Sequence, residues 1–96
     1  MSASRLKDSR QLERHLKGVA NHWRIDILLT VAEHPGISVE DLADRLKGNI
    51  KTISEHTRRL VHAGLINKAY VGRSVAHTLS PYGKILRQFL TTFQHS

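Results

Sequence analysis

Charged and hydrogen-bonding side chains concentrate between residues 49 and 62, at a spacing that would place them on one side of a helix. At about 100° per residue they fall opposite an apolar stripe formed by Ile50, Ile53, Thr57, Leu60 and Val61. The positions opposite the stripe are Lys51, Glu55, Arg58, Arg59 and His62, and Thr52, Ser54 and His56 lie on the flanks. An exposed helix face of this kind can pair with phosphates and can donate to, or accept from, the edges of bases.

Position along this helix suggests a division of roles. Lys51, Thr52 and Glu55 lie near its start, the part of a recognition helix that reaches deepest into a major groove, so we expect them to contact base edges. Lys can address guanine acceptors, Thr the thymine methyl and Glu the cytosine amino group. Arg58 and Arg59 lie further back and suit phosphates. The alternative is a solvated face on which Lys51 and Glu55 form an ordinary i,i+4 pair.

The charge distribution favours a polyanionic partner. The 96-residue chain has a net charge of +7, and its last acidic residue is Glu55. The residues after it include six basic ones, namely Arg58, Arg59, Lys68, Arg73, Lys84 and Arg87. A basic half of this kind attracts nucleic acid, so we expect double-stranded DNA as a partner.

Several other classes of function are disfavoured. The chain has no Ser-His-Asp arrangement, no glycine-rich phosphate loop and no paired carboxylates suited to a cleft, so we expect no enzyme and no catalytic residues. With no cysteine, and with no two of its seven histidines at i,i+4 spacing, we expect no metal site and no cofactor. No apolar run is long enough to span a membrane and the N-terminus is charged, so we expect a soluble, cytoplasmic protein.

The elements that must position the polar face follow from periodicity. Apolar residues at helical spacing predict helices over residues 4–17, 20–33, 38–46 and 49–62. Ser38 and Asn49 are suited to cap the third and fourth of these. Residues 65–70 and 74–79 are rich in β-branched and aromatic side chains and predict a hairpin. Pro81 begins a last helix at its favoured first position.

This order predicts a mainly α fold with a small β-hairpin, a winged helix-turn-helix. We expect one domain over residues 1–96, with the helix-turn-helix at 38–62 and the wing at 65–79. Arg73, at the tip of the wing, is suited to a phosphate or minor-groove contact, or is a solvated turn residue.

The flanking helices, residues 1–18 and 81–96, are predicted to form a homodimer. Each carries apolar residues that need a cover, and a second copy of the same helices is the simplest one. The predicted interface comprises Leu12, Leu16, Leu86, Phe89, Leu90 and Phe93. The alternative is that the last helix packs wholly on its own domain.

Three stretches resemble the ArsR-type winged-helix regulators. Residues 19–28 are similar to the family's opening Ala-Asn/Asp-Pro-x-Arg segment, with His22 where Pro is usual. Residues 38–46 resemble the first helix of the DNA-reading pair. The closest match is residues 54–66, similar to Ser-x-His-Leu-x-x-Leu-x-x-Ala-Gly-Leu-Val with Thr57 in place of Leu. Related families, including the MarR type, share the end of this stretch.

The resemblance implies a homodimeric, DNA-binding transcription regulator, often a repressor released by a metal or another signal. It also implies that Ser54 and His56 bond the DNA backbone. Metal-sensing members carry a cysteine pair near the first DNA-reading helix or Asp, His and Glu ligands on the last helix. This chain has neither, so a metal or small-molecule effector is not expected at those sites.

A second hypothesis is a winged-helix module that binds another protein, with an incidental basic face. Such a module should expose apolar anchors on the outer face of residues 49–62. Lys, Thr, Glu and Arg stand there instead.

Overall fold

The computed structural model describes residues 6–96 and contains five helices and one hairpin. The elements are α1 (Ser9–Val19), α2 (His22–Glu33), α3 (Val39–Leu46), α4 (Ile50–His62), β1 (Ile66–Val71), β2 (Ser74–Leu79) and α5 (Pro81–Gln94). This order confirms the predicted winged helix-turn-helix architecture.

Side-chain caps decide where each helix begins. An oxygen of the residue before the helix accepts from a backbone N–H of the first turn, which satisfies a donor that the helix itself cannot. The capping residues are Asp8, Asn21, Ser38, Asn49 and Ser80. The predictions at Ser38, Asn49 and Pro81 are therefore confirmed.

Two predicted helix starts are wrong because these caps lie later in the chain. The first helix begins at Ser9, not at residue 4, because Asp8 and Gln11 form a reciprocal capping box. Residues 4 and 5 of the predicted helix lie outside the described residues. The second helix begins at His22, because the Asn21 side chain accepts from the backbone N–H groups of Trp23 and Arg24.

The core lies among α2, α3, α4 and the start of β1. Its fully buried large side chains are Ile27, Leu28, Val31, Leu42, Ile53, Leu60, Leu65 and Ile66. Each such side chain contributes about 1.5–3 kcal/mol through burial. Ile50, predicted on the inner face of α4, is instead 44% exposed, because it occupies the first helical position at the edge of the core.

The hairpin is fastened to the segment before α3. Its strands pair from Ile66 with Leu79 to Val71 with Ser74, and Gly72 takes a left-handed conformation (φ 61°) in the turn. The His77 backbone N–H donates to the Ile37 carbonyl at 3.2 Å, and its Nδ1 lies 2.8 Å from the same oxygen. The buried His77 side chain thereby fixes the base of the wing.

Both flanking helices are attached to the end of α4. The buried His15 of α1 places Nδ1 2.9 Å from the Ala63 carbonyl, and the Ser80 hydroxyl donates to the Gly64 carbonyl at 2.6 Å. The helices also approach closely here, since a Cβ on Gly18 would overlap the Cβ of Ala63. Residues 63 and 64 therefore join α1, α4 and the start of α5.

No helix in the described part of the chain has the length and apolar character needed to cross a bilayer.

Candidate nucleic-acid interface

The outer face of α4 carries the predicted DNA-reading residues. Ile53, Thr57 and Leu60 are buried and hold the helix on the core. The opposite positions are exposed or half-buried, and comprise Lys51, Thr52, Ser54, Glu55, His56, Arg58 and Arg59. Four of them, Lys51, Ser54, Glu55 and Arg58, line one shallow depression of about 280 Å³ together with Ile50.

Glu55 organises two of the arginines on this face. Its Oε2 accepts from Arg58 Nη2 at 2.7 Å and from Arg59 Nε at 3.2 Å. The hydrogen bond from Arg58 is the main reason that the pKa of Glu55 lies below its usual value, and Arg59 lowers this pKa further. Within residues 6–96 the ion pairs of Glu55 are made with these arginines and not with Lys51. Lys51 and Glu55 therefore do not form the i,i+4 pair considered from the sequence.

His56 lies beneath this face, beside a residue that sequence reasoning did not select. Arg24 Nη1 donates to His56 Nδ1 at 3.3 Å, a bond between α2 and α4. Burial lowers the pKa of His56, the charges of Arg24, Arg59 and His22 lower it further, and Glu55 opposes them. A neutral imidazole accepting from Arg24 fits this environment. The sequence did carry a signal for Arg24, because this residue matches the Arg of the Ala-Asn/Asp-Pro-x-Arg segment that residues 19–28 resemble.

The wing presents a second polar and apolar surface. Arg73 is exposed beside Gly72 in the turn, as the hairpin prediction required. On β1, Tyr70 and Val71 are 75% and 62% exposed. The sequence predicted Tyr70 as a strand residue and left Val71 in the turn, whereas Val71 is the last residue of β1 and pairs with Ser74.

The predicted interface residues of the flanking helices divide into two groups. Leu12, Leu16, Phe89 and Phe93 are about half or more exposed, and the rings of Phe89 and Phe93 stack with centroids 5.7 Å apart. Leu86 and Leu90 are half-buried and pack against the core of their own chain. The exposed apolar stripe of α5 therefore runs beside these two leucines.

Among residues 6–96, no group of three or more His, Cys, Asp and Glu side chains is placed to hold a metal ion. The rings of His15 and His77 contact backbone carbonyls instead.

The architecture and this exposed basic helix define a winged-helix protein of the DNA-binding type. The MarR family model matches residues 21–69, just over half of the chain. The chain therefore belongs to the MarR family. The MarR type is the related family that shares the end of residues 54–66 with the ArsR type, and the ArsR-type assignment itself stays a prediction.

Solved structures show the same fold over nearly the whole chain. HlyU from Vibrio cholerae N16961 is 28% identical, with a TM-score of 0.83 over 94% of this chain and 98% of that one. The transcriptional regulator HlyU from Vibrio vulnificus CMCP6 is 26% identical, with a TM-score of 0.76 over 88% of each chain. A homodimeric winged helix-turn-helix DNA-binding domain from Mycobacterium bovis, a possible ArsR-family transcriptional regulator, is 22% identical and shares the fold (TM-score 0.81, 94% of this chain and 88% of that one).

Comparison with curated proteins gives no significant match. The family and the structural neighbours together support a role in DNA-binding transcription regulation.

Proposed function

We propose that this protein is a sequence-specific, double-stranded DNA-binding repressor that acts as a homodimer on an inverted repeat. The observation that carries the proposal is the geometry of α4. One face of this helix is held by the core, and the other presents the chain's polar and cationic side chains to solvent beside a basic hairpin. A helix seated in this way can enter a major groove.

Within that interface we assign base contacts to Lys51, Thr52 and Glu55, with Ser54 and His56 on the DNA backbone. Arg58 and Arg59 contact phosphates, and so does Arg73 from the wing. Both arginines bond Oε2 of Glu55, so its other oxygen, Oε1, can accept from a cytosine amino group while the two arginine bonds remain. Residues 38–62 act as the helix-turn-helix and residues 65–79 as the wing.

The homodimer is supported by the exposed apolar surface of the flanking helices. Leu12 and Leu16 on α1 and Phe89 and Phe93 on α5 leave large apolar areas in solvent, which a second copy can bury. Leu86 and Leu90 support the same surface from beneath. Two recognition helices related by a two-fold axis would then reach successive major grooves about 34 Å apart.

The ArsR-type assignment within this fold is supported by residues 54–66, which resemble that family's DNA-reading helix, and by the shared fold of the Mycobacterium bovis domain, a possible ArsR-family regulator. We place the protein in the cytoplasm, because that is where it would meet an operator on the chromosome. Repression is the simplest effect of a dimer that covers promoter DNA, and added protein should lower transcript yield from a promoter that carries the operator. A rise in transcript would reverse this assignment.

Binding to duplex DNA over a range of salt concentrations tests the central proposal. Because several phosphates are neutralised per subunit, affinity should fall steeply as salt rises. Lys51→Ala should change the preferred sequence in a selection from random duplexes, at a cost of about 1–3 kcal/mol on the best site. Arg73→Ala should weaken binding to all sequences equally.

Lys84→Ala, which removes a charge from α5, is the matched control and should leave the selected sequence and the salt dependence unchanged. Affinity that stays constant across salt concentrations would contradict DNA binding and favour the protein-binding module. Unchanged preference in Lys51→Ala would contradict the base contact alone.

A further inference from the structure

A cavity of about 520 Å³ lies where α1, α2 and α4 meet, beside the predicted DNA-binding face, with which it shares Arg58 and Arg59. We call it the junction pocket. Its cationic lining residues are Arg14, Lys17, Arg24, Arg58 and Arg59, and the remaining lining residues are Gly18, His62 and Ala63. The close approach of Gly18 to Ala63 brings α1 against α4 at one wall of the pocket.

The positive charges that line the pocket outnumber the carboxylates that pair with them. The nearby carboxylates belong to Glu13, which pairs with Lys17 at 3.0 Å, and to Glu55, which pairs with Arg58 and Arg59. Within residues 6–96, neither these two carboxylates nor any other lines the pocket. Positive groups held together without an anion repel one another, so the pocket favours an anionic occupant.

Arg24 provides the specific donor inside the pocket. Its Nη1 is occupied by His56, while its Nε is buried and has no hydrogen-bond partner among the described residues. A buried charged donor left without a partner is energetically costly. Arg24 also lies in the first turn of α2, where the helix dipole favours an anion and where this helix has no acidic residue. A bound anion would give the Nε atom a partner, while the Asn21 side chain already caps the helix terminus.

We propose that the junction pocket binds a phosphate group, with Arg24 as its inner donor and Arg14, Arg58 and Arg59 at its rim. The donors come from three helices, and this suits a tetrahedral group whose oxygens point in several directions. Guanidinium groups match phosphate oxygens in bidentate geometry. The volume exceeds that of one phosphate and lies in the range of small-molecule sites, so a phosphorylated small molecule fits. A backbone phosphate of bound DNA has the same chemistry.

The direct test uses the full chain without DNA. Sodium pyrophosphate is titrated calorimetrically at constant ionic strength into the wild type, Arg24→Gln and Arg45→Gln. The control removes the same charge from the exposed face of α3, outside the pocket. We expect saturable binding by the wild type and by Arg45→Gln, and about tenfold weaker binding or none by Arg24→Gln. No saturable binding by the wild type, or equal loss in both variants, would overturn the proposal.

A second variant covers the case in which Arg24→Gln unfolds. Arg58→Gln changes an exposed rim residue and should also weaken pyrophosphate binding, and unchanged affinity in a folded Arg58→Gln would then overturn the proposal. The pocket shares Arg58 and Arg59 with the proposed DNA interface, but this titration contains no DNA, so a negative result would leave the DNA-binding proposal standing.

Duplex binding distinguishes the two sources of phosphate, with Arg87→Gln as the control because Arg87 is exposed on α5, outside the pocket and outside the helix-turn-helix. If a DNA phosphate occupies the pocket, Arg24→Gln should weaken binding to all sequences more than Arg87→Gln does. If a free ligand is the occupant, the two variants should bind DNA equally, and pyrophosphate binding should still require Arg24. Either result supports a phosphate site and assigns its ligand.

Discussion

Replacing Glu55 by Gln should make DNA binding stronger and more dependent on salt. In the free protein the Glu55 carboxylate holds Arg58 and Arg59 through one oxygen, at 2.7 and 3.2 Å. Because Arg58 lowers the pKa of Glu55, the carboxylate is fully ionised at neutral pH and offsets part of the arginine charge. Gln has nearly the same shape and no charge, so the substitution releases two guanidinium groups toward the phosphates. Exposed pairs of this kind contribute little to folding, so the fold should tolerate the change.

The expected magnitude follows from counterion release. Each additional phosphate contact steepens the slope of log K against log salt by about 0.9. One new contact in each subunit of the proposed dimer therefore steepens it by about 1.8. Between about 50 and 200 mM salt this corresponds to roughly a tenfold change in affinity beyond that of the wild type. If Glu55 also reads cytosine, the gain should appear mainly on non-specific DNA, and discrimination between sequences should fall.

Fluorescence anisotropy on a random-sequence duplex over a salt series measures this slope. Glu13→Gln is the matched control, because Glu13 forms a similar pair with Lys17 at 3.0 Å on α1, away from the reading face. A Glu55→Gln slope equal to the wild-type slope would refute the reasoning. Equal steepening in Glu13→Gln would show that net charge, and not the position of the arginines, is responsible.

Three further predictions concern assembly, pH and packing. Phe89→Glu places a charge in the exposed aromatic stripe and should give monomers, measured by light scattering. Gln88→Glu, one position away, is the control and should stay dimeric. A wild-type mass near the 10.9 kDa of one chain would exclude the dimer. Because the folded-state pKa of His56 is lowered from 6.5, its contribution to stability is complete above that pH and is lost as pH falls through the folded-state value. His56→Gln should therefore lessen the decline in the free energy of unfolding in acid, measured by urea titration at several pH values, and an unchanged decline would contradict this. Gly18→Ala should destabilise the fold by about 1–3 kcal/mol through overlap with Ala63, and adding Ala63→Gly should restore most of the loss; full stability in the single variant would contradict the close helix contact.

The local features of this fold could be predicted from the sequence, because caps, periodicity and turn residues act over a few positions. The α4 cap at Asn49 and the start of α5 at Pro81 are examples. The errors at the starts of α1 and α2 arose where the periodic pattern continued past a better cap, at Asp8 and Asn21. Residues within one helix turn of a boundary cannot be assigned by periodicity alone.

The candidate site was predictable as a face but not as a set of contacts. Glu55 has cationic neighbours at i−4, i+3 and i+4, and only side-chain geometry selects Arg58 and Arg59 over Lys51. The bond between Arg24 and His56 joins residues 32 positions apart, which no local pattern encodes. On α5, the rotation of the helix about its own axis decides that Leu86 and Leu90 pack on the core while Phe89 and Phe93 stay exposed, and the sequence does not determine this rotation.

The anchoring of both flanking helices at residues 63 and 64 has a mechanical consequence for the operator. The His15 ring bonds the Ala63 carbonyl, and the Ser80 hydroxyl donates to the Gly64 carbonyl. In the proposed dimer, the C-terminal end of each α4 is therefore attached to the flanking helices that form the subunit interface. The separation and relative orientation of the two α4 helices are then fixed. Inserting one base pair between half-sites turns the second site by about a tenth of a revolution around the DNA axis. Two α4 helices with a fixed separation and orientation cannot follow that rotation. The operator should therefore tolerate changes of base between its half-sites far better than changes in the spacing of the half-sites.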